Sequence, residues 1–258
     1  MHDVKITIVQ FDQIWENISA NYKKIEELLE NLEQTDLIVL PEMFHTGFSM
    51  NTSLAEEWSN NEALIMLKNW SIKHNAAIYT SFMVSDNNGY FNRGVFVEPS
   101  SKVSFYDKRR SFGLGGEDKV FTAGESEIIV DYKGWKFNLQ ICYDLRFPEL
   151  IRNRIDSLSG EAAYDALLYV ANWPSKRELH WKILLHARAI ENQCYTIGVN
   201  RIGTDGNQLD YSGASAIFDG LGSTILQMNN KESVQTVTLS WLNIQNLRKQ
   251  LPFLKDRK

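Results

Sequence analysis

The apolar positions of this chain keep two rhythms in turn. Val4, Ile6 and Ile8 are interleaved with Lys5, Thr7 and Val9 at the period of a strand, after which Ile18, Tyr22, Ile25, Leu29 and Leu32 recur at helical spacing. Residues 37–40 (LIVL) form a continuous apolar run closed by Pro41, as expected of a strand covered on both faces. The alternation goes on to predict a helix over 62–74 and a strand over 76–82. Beyond Tyr90 the strands shorten: 91–97 and 103–106 flank Glu98-Pro99-Ser100-Ser101 and read as an antiparallel hairpin.

A loop over 109–126 carries Gly113, Gly115, Gly116 and Gly124, and ordered loops of that length are more often functional than idle. Lys133-Gly134 then turns the chain into 135–141, where Trp135, Phe137, Leu139 and Ile141 share one strand face, and a helix is expected to open at Pro148 and run near 148–155. Cys142 sits at the break. Downstream, an apolar strand over 166–170 stops at Asn172-Trp173-Pro174, a helix is predicted over 175–192 and a strand over 194–200. A loop at 203–206, a strand at 214–218 and two closing antiparallel strands at 223–227 and 234–239 complete the pattern. Buried strands with interspersed helices imply an α/β fold of two packed mixed sheets with helices outside.

Composition narrows the partners. The 258 residues, 43% hydrophobic and 23% charged, suit one domain over 1–258 with a sizeable core. A net charge of -5 without a basic run leaves no footprint for nucleic acid or for an anionic membrane surface. The N-terminal residues enter a strand pattern directly, so no secretory leader is expected, and no apolar run reaches bilayer length. Two cysteines, Cys142 and Cys194, make no disulfide framework, which points to a reducing cytoplasm.

Three predicted strand ends carry reactive side chains: Glu42, Lys108 and Cys142. In a layered α/β fold strand ends gather at one edge, so the three can converge. A cysteine attacks as its thiolate, a buried carboxylate can take its proton, and a nearby ammonium can stabilise a developing oxyanion. Taken singly, each residue also has an ordinary structural explanation: a surface or capping carboxylate, a solvated amine, a small buried thiol.

The segments 41–44 (PEMF), 106–108 (YDK) and 142–149 (CYDLRFPE) resemble, in order and interval, the three motifs of the nitrilase superfamily of carbon–nitrogen hydrolases. The resemblance extends over nearly the whole chain. It implies a four-layer αββα sandwich with Glu42 as general base, Lys108 as oxyanion-stabilising cation and Cys142 as nucleophile, without metal or organic cofactor. Glu117, after Gly116, resembles a second glutamate found in many amidase branches and would orient the substrate amide and Lys108. Tyr143-Asp144 follow the cysteine as in amidases, where nitrile-hydrolysing members have tryptophan and glutamate. Together with residues 171–174 (ANWP), 186–193 (HARAIENQ) and 199–203 (VNRIG), the motifs are most similar to the bacterial omega-amidase group. That group hydrolyses the terminal amide of 2-oxoglutaramate or 2-oxosuccinamate to the 2-oxo dicarboxylic acid and ammonia. An N-carbamoyl compound or deaminated glutathione is the alternative substrate, and a non-catalytic redox thiol the alternative of a different class. Superfamily members commonly dimerise through outer helices, so a homodimer or larger homo-oligomer is implied, with the helices near 148–155 and 175–192 as candidate contacts.

The remaining candidates concern the pocket. Phe44 and Trp173 follow strand ends and are expected to wall it, with Tyr143 beside the nucleophile and His45 as a pocket-lining departure from the family pattern. Arg146 has the bidentate geometry to hold a substrate carboxylate, although an ion pair with Glu149 is the competing expectation. Arg109, Arg110 and Arg201 are weaker anchors. His180 and His186, six apart on the predicted helix, do not share the face a helical metal site uses, so no metal is expected.

Overall fold

The computed structural model describes residues 2–87, 89–157 and 159–257. In chain order it begins β1 (Val4–Gln10), α1 (Ile18–Leu29), β2 (Leu37–Val39), β3 (Glu56–Glu57), α2 (Glu62–His74), β4 (Ala77–Asp86), β5 (Gly89–Val97) and β6 (Val103–Asp107). The middle of the chain supplies β7 (Ile129–Tyr132), β8 (Trp135–Ile141), β9 (Ala166–Ala171), α3 (Glu178–Asn192) and β10 (Tyr195–Asn200). It closes with β11 (Ile202–Thr204), β12 (Asp210–Ser212), β13 (Ala216–Phe218), β14 (Thr224–Gln227), β15 (Ser233–Leu239) and α4 (Trp241–Gln250).

Among the described residues the larger strands form two mixed sheets, ordered β15-β1-β2-β4-β5-β6, with β3 on β4, and β14-β13-β10-β9-β8-β7. Each has parallel strands at its centre, β1-β2-β4 in one and β8-β9-β10 in the other, with antiparallel pairs outside. That is why β2 and β9 carry no polar alternation: every residue of both is buried. Their facing surfaces share one core, in which Tyr79 on β4 donates its hydroxyl to the Gln140 carbonyl on β8 at 2.9 Å. Outside the first sheet, Tyr22, Ile25 and Leu29 of α1 and Leu67 and Trp70 of α2 pack on Ile38, Ile78 and Val95. Outside the second, α3 presses Trp181 and Leu185 so close to β10 that a Cβ at Gly198 would overlap both. The layers are therefore α, β, β, α.

Three sequence expectations are corrected, and one helix is added. Residues 148–155 are not a helix: Pro148–Leu150 is a single 3-10 turn, and the backbone beyond it is claimed by side chains instead. Asn153 donates Nδ2 to the carbonyls of Tyr164 and Asn192, both at 3.0 Å, and its N–H goes to Asn192 Oδ1 at 2.9 Å, an alternative to helical bonding. The predicted loop at 203–206 overlaps β11, which pairs antiparallel with β12 in a small ribbon. The two closing strands belong to different sheets, β14 against β13 and β15 against β1. Helix α4, capped by Ser240, was not foreseen, because its buried apolar side chains are only Ile244 and Leu247.

Direction matters more than layer count. Since β5 and β6 each reverse, β6 runs the same way as β2 and β4. The C-terminal ends of β2, β6, β8 and β9 therefore open at one edge of the sandwich, each followed within three residues by a polar or thiol side chain: Glu42, Lys108, Cys142 and Asn172.

Candidate active site

Local backbone aims these side chains. Pro41 ends β2, and Met43 takes φ 45° in a turn whose carbonyl receives the N–H groups of Thr46 and Gly47, leaving Glu42 fully buried at the sheet edge. Cys142 follows β8 with φ 44°, a left-handed conformation that a non-glycine residue adopts at a cost and that accompanies sharp strand-to-helix turns. Asp144 holds that turn. Its carboxylate accepts from the Ile141 N–H at 3.0 Å, the Arg110 N–H at 3.0 Å and the Tyr106 hydroxyl at 2.7 Å, tying the cysteine turn to the end of β6. Burial pushes the Asp144 carboxyl up to about 6.

Lys108 stands between two carboxylates, with Nζ donating to Glu42 Oε1 at 2.9 Å and to Glu117 at 2.9 Å. All three side chains are at most 3% exposed. Asn92, on β5, bridges the same pair, donating Nδ2 to Glu42 Oε1 at 2.8 Å and to Glu117 Oε1 at 3.2 Å. The second Glu42 oxygen accepts the Asn172 N–H at 2.8 Å, and the Cys142 thiol, near enough to the Glu42 carboxylate to be influenced by it, points at the Asn172 carbonyl at 3.8 Å. Glu117 reaches this position because its Oε2 accepts the Phe112 N–H at 2.6 Å, folding the 109–126 loop back on itself. Gly124 returns the loop beside Lys108: its N–H bonds the Lys108 carbonyl at 2.9 Å, and a Cβ there would overlap the Asp107 carbonyl oxygen.

The electrostatics follow from one cation among three acidic groups. Burial first, then the Glu42 carboxylate, push the Cys142 thiol well above its ordinary value, while Lys108 pulls the other way. Burial also works against the Lys108 charge, but Glu117 and Glu42 more than offset it and hold the ammonium above its usual range. The thiol thus rests protonated beside a carboxylate that can accept its proton, with a permanent cation alongside.

Lys108 and Cys142 form the floor of a cavity of about 550 Å³, with Glu42 and Glu117 buried behind Lys108, and its walls include Tyr143, Arg146, Asn172 and Trp173. Of the sequence candidates, Glu42, Lys108, Cys142 and Glu117 converge here, and Tyr143, Trp173 and Arg146 line the cavity above them. Phe44 and His45 do not. The Met43 turn sends both away from the cavity into the layer under α1 and α2, where their rings stack at 4.7 Å, and Tyr22 stacks on His45 at 5.7 Å. His45 Nε2 meets Glu56 at 3.3 Å, so the pocket-lining expectation for both residues is corrected. The Arg146–Glu149 pair is absent as well: Glu149 lies 4.0 Å from Arg110, while Arg146 spreads over the Trp173 ring at 4.7 Å. Arg201 is buried against Asp12, and Arg109 donates to the Leu150 carbonyl. His180 Nδ1 lies 3.2 Å from Arg146, and His186 stacks on Phe218. Sequence reasoning missed Asn92, Asp144, Asn172 and the cavity residue Arg177. Asn172 stood at a strand end like the other three and was legible on that ground; Asn92, in mid-strand, gave no signal.

A two-sheet α/β sandwich with a glutamate, a lysine and a cysteine meeting at its strand ends defines a hydrolase of the nitrilase superfamily. The chain belongs to the carbon-nitrogen hydrolase family, whose model matches residues 5–249, and it is an amidase-type enzyme. It is 40% identical over 257 residues to "Omega-amidase YafV" of Yersinia enterocolitica, covering 99% of this chain and 97% of that protein. It is 32% identical over 282 residues to a 2-oxoglutaramate amidase of Paenarthrobacter nicotinovorans, covering 99% of this chain and 89% of the relative. Among solved structures, XC1258 of Xanthomonas campestris, a superfamily protein with an arsenic adduct in its active site, superposes with a TM-score of 0.97 at 40% identity, covering 100% of this chain and 98% of that one.

Proposed function

We propose that the enzyme hydrolyses the terminal amide of a small 2-oxo acid, 2-oxoglutaramate or 2-oxosuccinamate, to the 2-oxo dicarboxylic acid and ammonia. The observation that carries this reading is the Lys108 ammonium bonded to Glu42 and Glu117 beside the Cys142 thiol, on the floor of a cavity that also presents Arg146. The names of the Yersinia and Paenarthrobacter relatives support the substrate class.

In the mechanism, the amide carbonyl enters over Cys142 with its oxygen toward Lys108 Nζ and the Tyr143 N–H, one of the first N–H groups of the 3-10 segment Cys142–Arg146, which has no intrahelical partner. Glu42 takes the thiol proton as sulfur attacks the amide carbon. Lys108 stays charged throughout, so its part is electrostatic. Protonated Glu42 then delivers its proton to the departing nitrogen, the C–N bond breaks and ammonia leaves a thioester on Cys142. Glu42 next deprotonates a water that attacks the thioester, and the acid departs as the proton returns to sulfur. Glu117 keeps Lys108 and the amide in register, and Arg146, free of any carboxylate partner among the described residues, holds the substrate carboxylate. A free thiol of this kind belongs in a reducing compartment such as the cytoplasm. A homodimer or larger homo-oligomer completes the proposal.

Ammonia release from a panel of 2-oxo acid amides, glutamine, asparagine and N-carbamoyl amino acids tests the reading. The 2-oxo acid amides should give the highest kcat/KM; a faster N-carbamoyl substrate, or no ammonia from any, would overturn it.

A further inference from the structure

Arg146 is not the only guanidinium in the cavity. Arg177, in the 3-10 turn Ser175–Arg177 that leads into α3, lines the same space. Among the described residues neither arginine has a carboxylate within ion-pair distance, whereas Arg93, Arg188, Arg201 and Arg248, all largely buried, each have one. Two partly buried cations facing one cavity with no carboxylate in direct contact are open to a ligand that supplies one.

The two are mounted on one aromatic wall. Arg146 lies over Trp173 at 4.7 Å and Tyr143 at 5.9 Å, and Arg177 lies over Phe112 at 5.3 Å. Phe112 and Tyr143 meet edge to face at 5.1 Å, and Trp173 Nε1 donates to the Arg177 carbonyl at 2.8 Å. The acidic residues across the cavity are already occupied locally: Glu16 accepts from Ser49 and Asn51, and Asp205 from two backbone N–H groups and the Tyr211 hydroxyl.

Distance sorts the roles. Arg146 closes the 3-10 segment that Cys142 opens, which at the ~2 Å rise per residue of such a helix puts their Cα atoms about 8 Å apart. A five-carbon ω-amide spans roughly 5 Å from amide carbon to carboxylate at about 1.5 Å per carbon–carbon bond. Cys142 and Arg146, at the two ends of this segment, both line the cavity, so the substrate chain can lie between sulfur and the Arg146 guanidinium. Arg177, on the same aromatic wall, is then the second cation open to the neighbouring 2-carbon.

Resting on the 2-oxo amide reading above, we infer that Arg177 is the residue that selects a 2-oxo over a 2-amino acid amide. Its guanidinium donates to the 2-oxo oxygen and meets the ammonium of glutamine or asparagine as a like charge in a partly desolvated cavity. Guanidinium has donors and no acceptor, so an ammonium cannot be accommodated by turning the group round.

Three substrates of one chain length isolate the effect: 2-oxoglutaramate, glutaramate, which lacks any 2-substituent, and L-glutamine. In Arg177→Met, kcat/KM for 2-oxoglutaramate should fall at least about tenfold, toward that of glutaramate, as expected when a site loses the donor that reads a substrate oxygen. Glutaramate should change less than about threefold, which also shows that the variant is folded and its floor intact, and the glutamine to 2-oxoglutaramate ratio should rise. Arg177→Lys should retain part of the preference, and Arg146→Met should lower 2-oxoglutaramate and glutaramate alike. Equal losses for both substrates in Arg177→Met, or no loss for either, would overturn the assignment. Wild-type enzyme inactive on 2-oxoglutaramate and glutaramate would instead overturn the substrate reading, and the inference with it.

Discussion

Burial and the Glu42 carboxylate hold the proton on the Cys142 thiol, while Glu117 and Glu42 hold the Lys108 ammonium charged, and this divides the labour around Cys142. Lys108 is left as a fixed charge and Glu42 as the proton carrier. A titration of thiolate absorbance, with Cys142→Ser as blank, reads the arrangement directly. The wild-type midpoint should lie above the ordinary thiol value; Glu42→Gln, which removes a carboxylate pushing it up, should lower it, and Lys108→Met should raise it. A wild-type midpoint at or below the ordinary value would contradict the charge balance. At this scale Glu42, Lys108 and Cys142 were legible together, because each closes a predicted strand inside one of three ordered motifs; singly, each also fitted an ordinary surface or core role. Phe44 and His45 were not, because the left-handed Met43 sends neighbours in sequence to opposite sides of the first sheet. Asn92 was illegible for another reason: one amide in a buried strand looks like any other until the two carboxylates it bridges are brought to it across 50 and 25 residues.

Among the elements, the 109–126 loop does more than connect. It carries Glu117 into the floor and is pinned at its end where Gly124 passes beside the Asp107 carbonyl, one residue from Lys108. Gly124→Ala should therefore cost about 1–3 kcal/mol of stability, as overpacking does, and reduce kcat by displacing Lys108. Gly113→Ala, whose Cβ would meet nothing closer than the Asp118 side chain at 3.6 Å, is the control and should leave kcat nearly unchanged. Thermal melts with steady-state rates check both; matching behaviour of the two variants would refute the pinning. The glycines marked this loop in the sequence, but their roles were hidden, since composition does not say which backbone a glycine passes. Helix α2 occupies the expected span near 62–74, with Asn61 capping its start. The expected helix beyond Pro148 failed because Asn153 spends its amide on distant carbonyls, a tertiary commitment that no local pattern announces.

For the whole molecule, the sandwich matters because two sheets of like design bring the ends of β2 and β6 against those of β8 and β9. The outer face of α3 also bears on assembly. Leu179, Ile183 and Ile190, at one face's spacing, are 67%, 57% and 49% exposed. With the helix over 148–155 gone, α3 is the remaining candidate contact for the expected homo-oligomer. Sedimentation should give a dimer or larger species that Leu179→Glu with Ile183→Glu dissociates; a monomeric wild type would refute it. The central claim, a thioester on Cys142, is tested most directly by intact mass spectrometry of enzyme quenched during turnover of 2-oxoglutaramate. The wild type should gain the mass of the substrate less ammonia, localised to Cys142, and Cys142→Ala should show neither adduct nor turnover. Turnover in Cys142→Ala, or an adduct on another residue, would contradict the account.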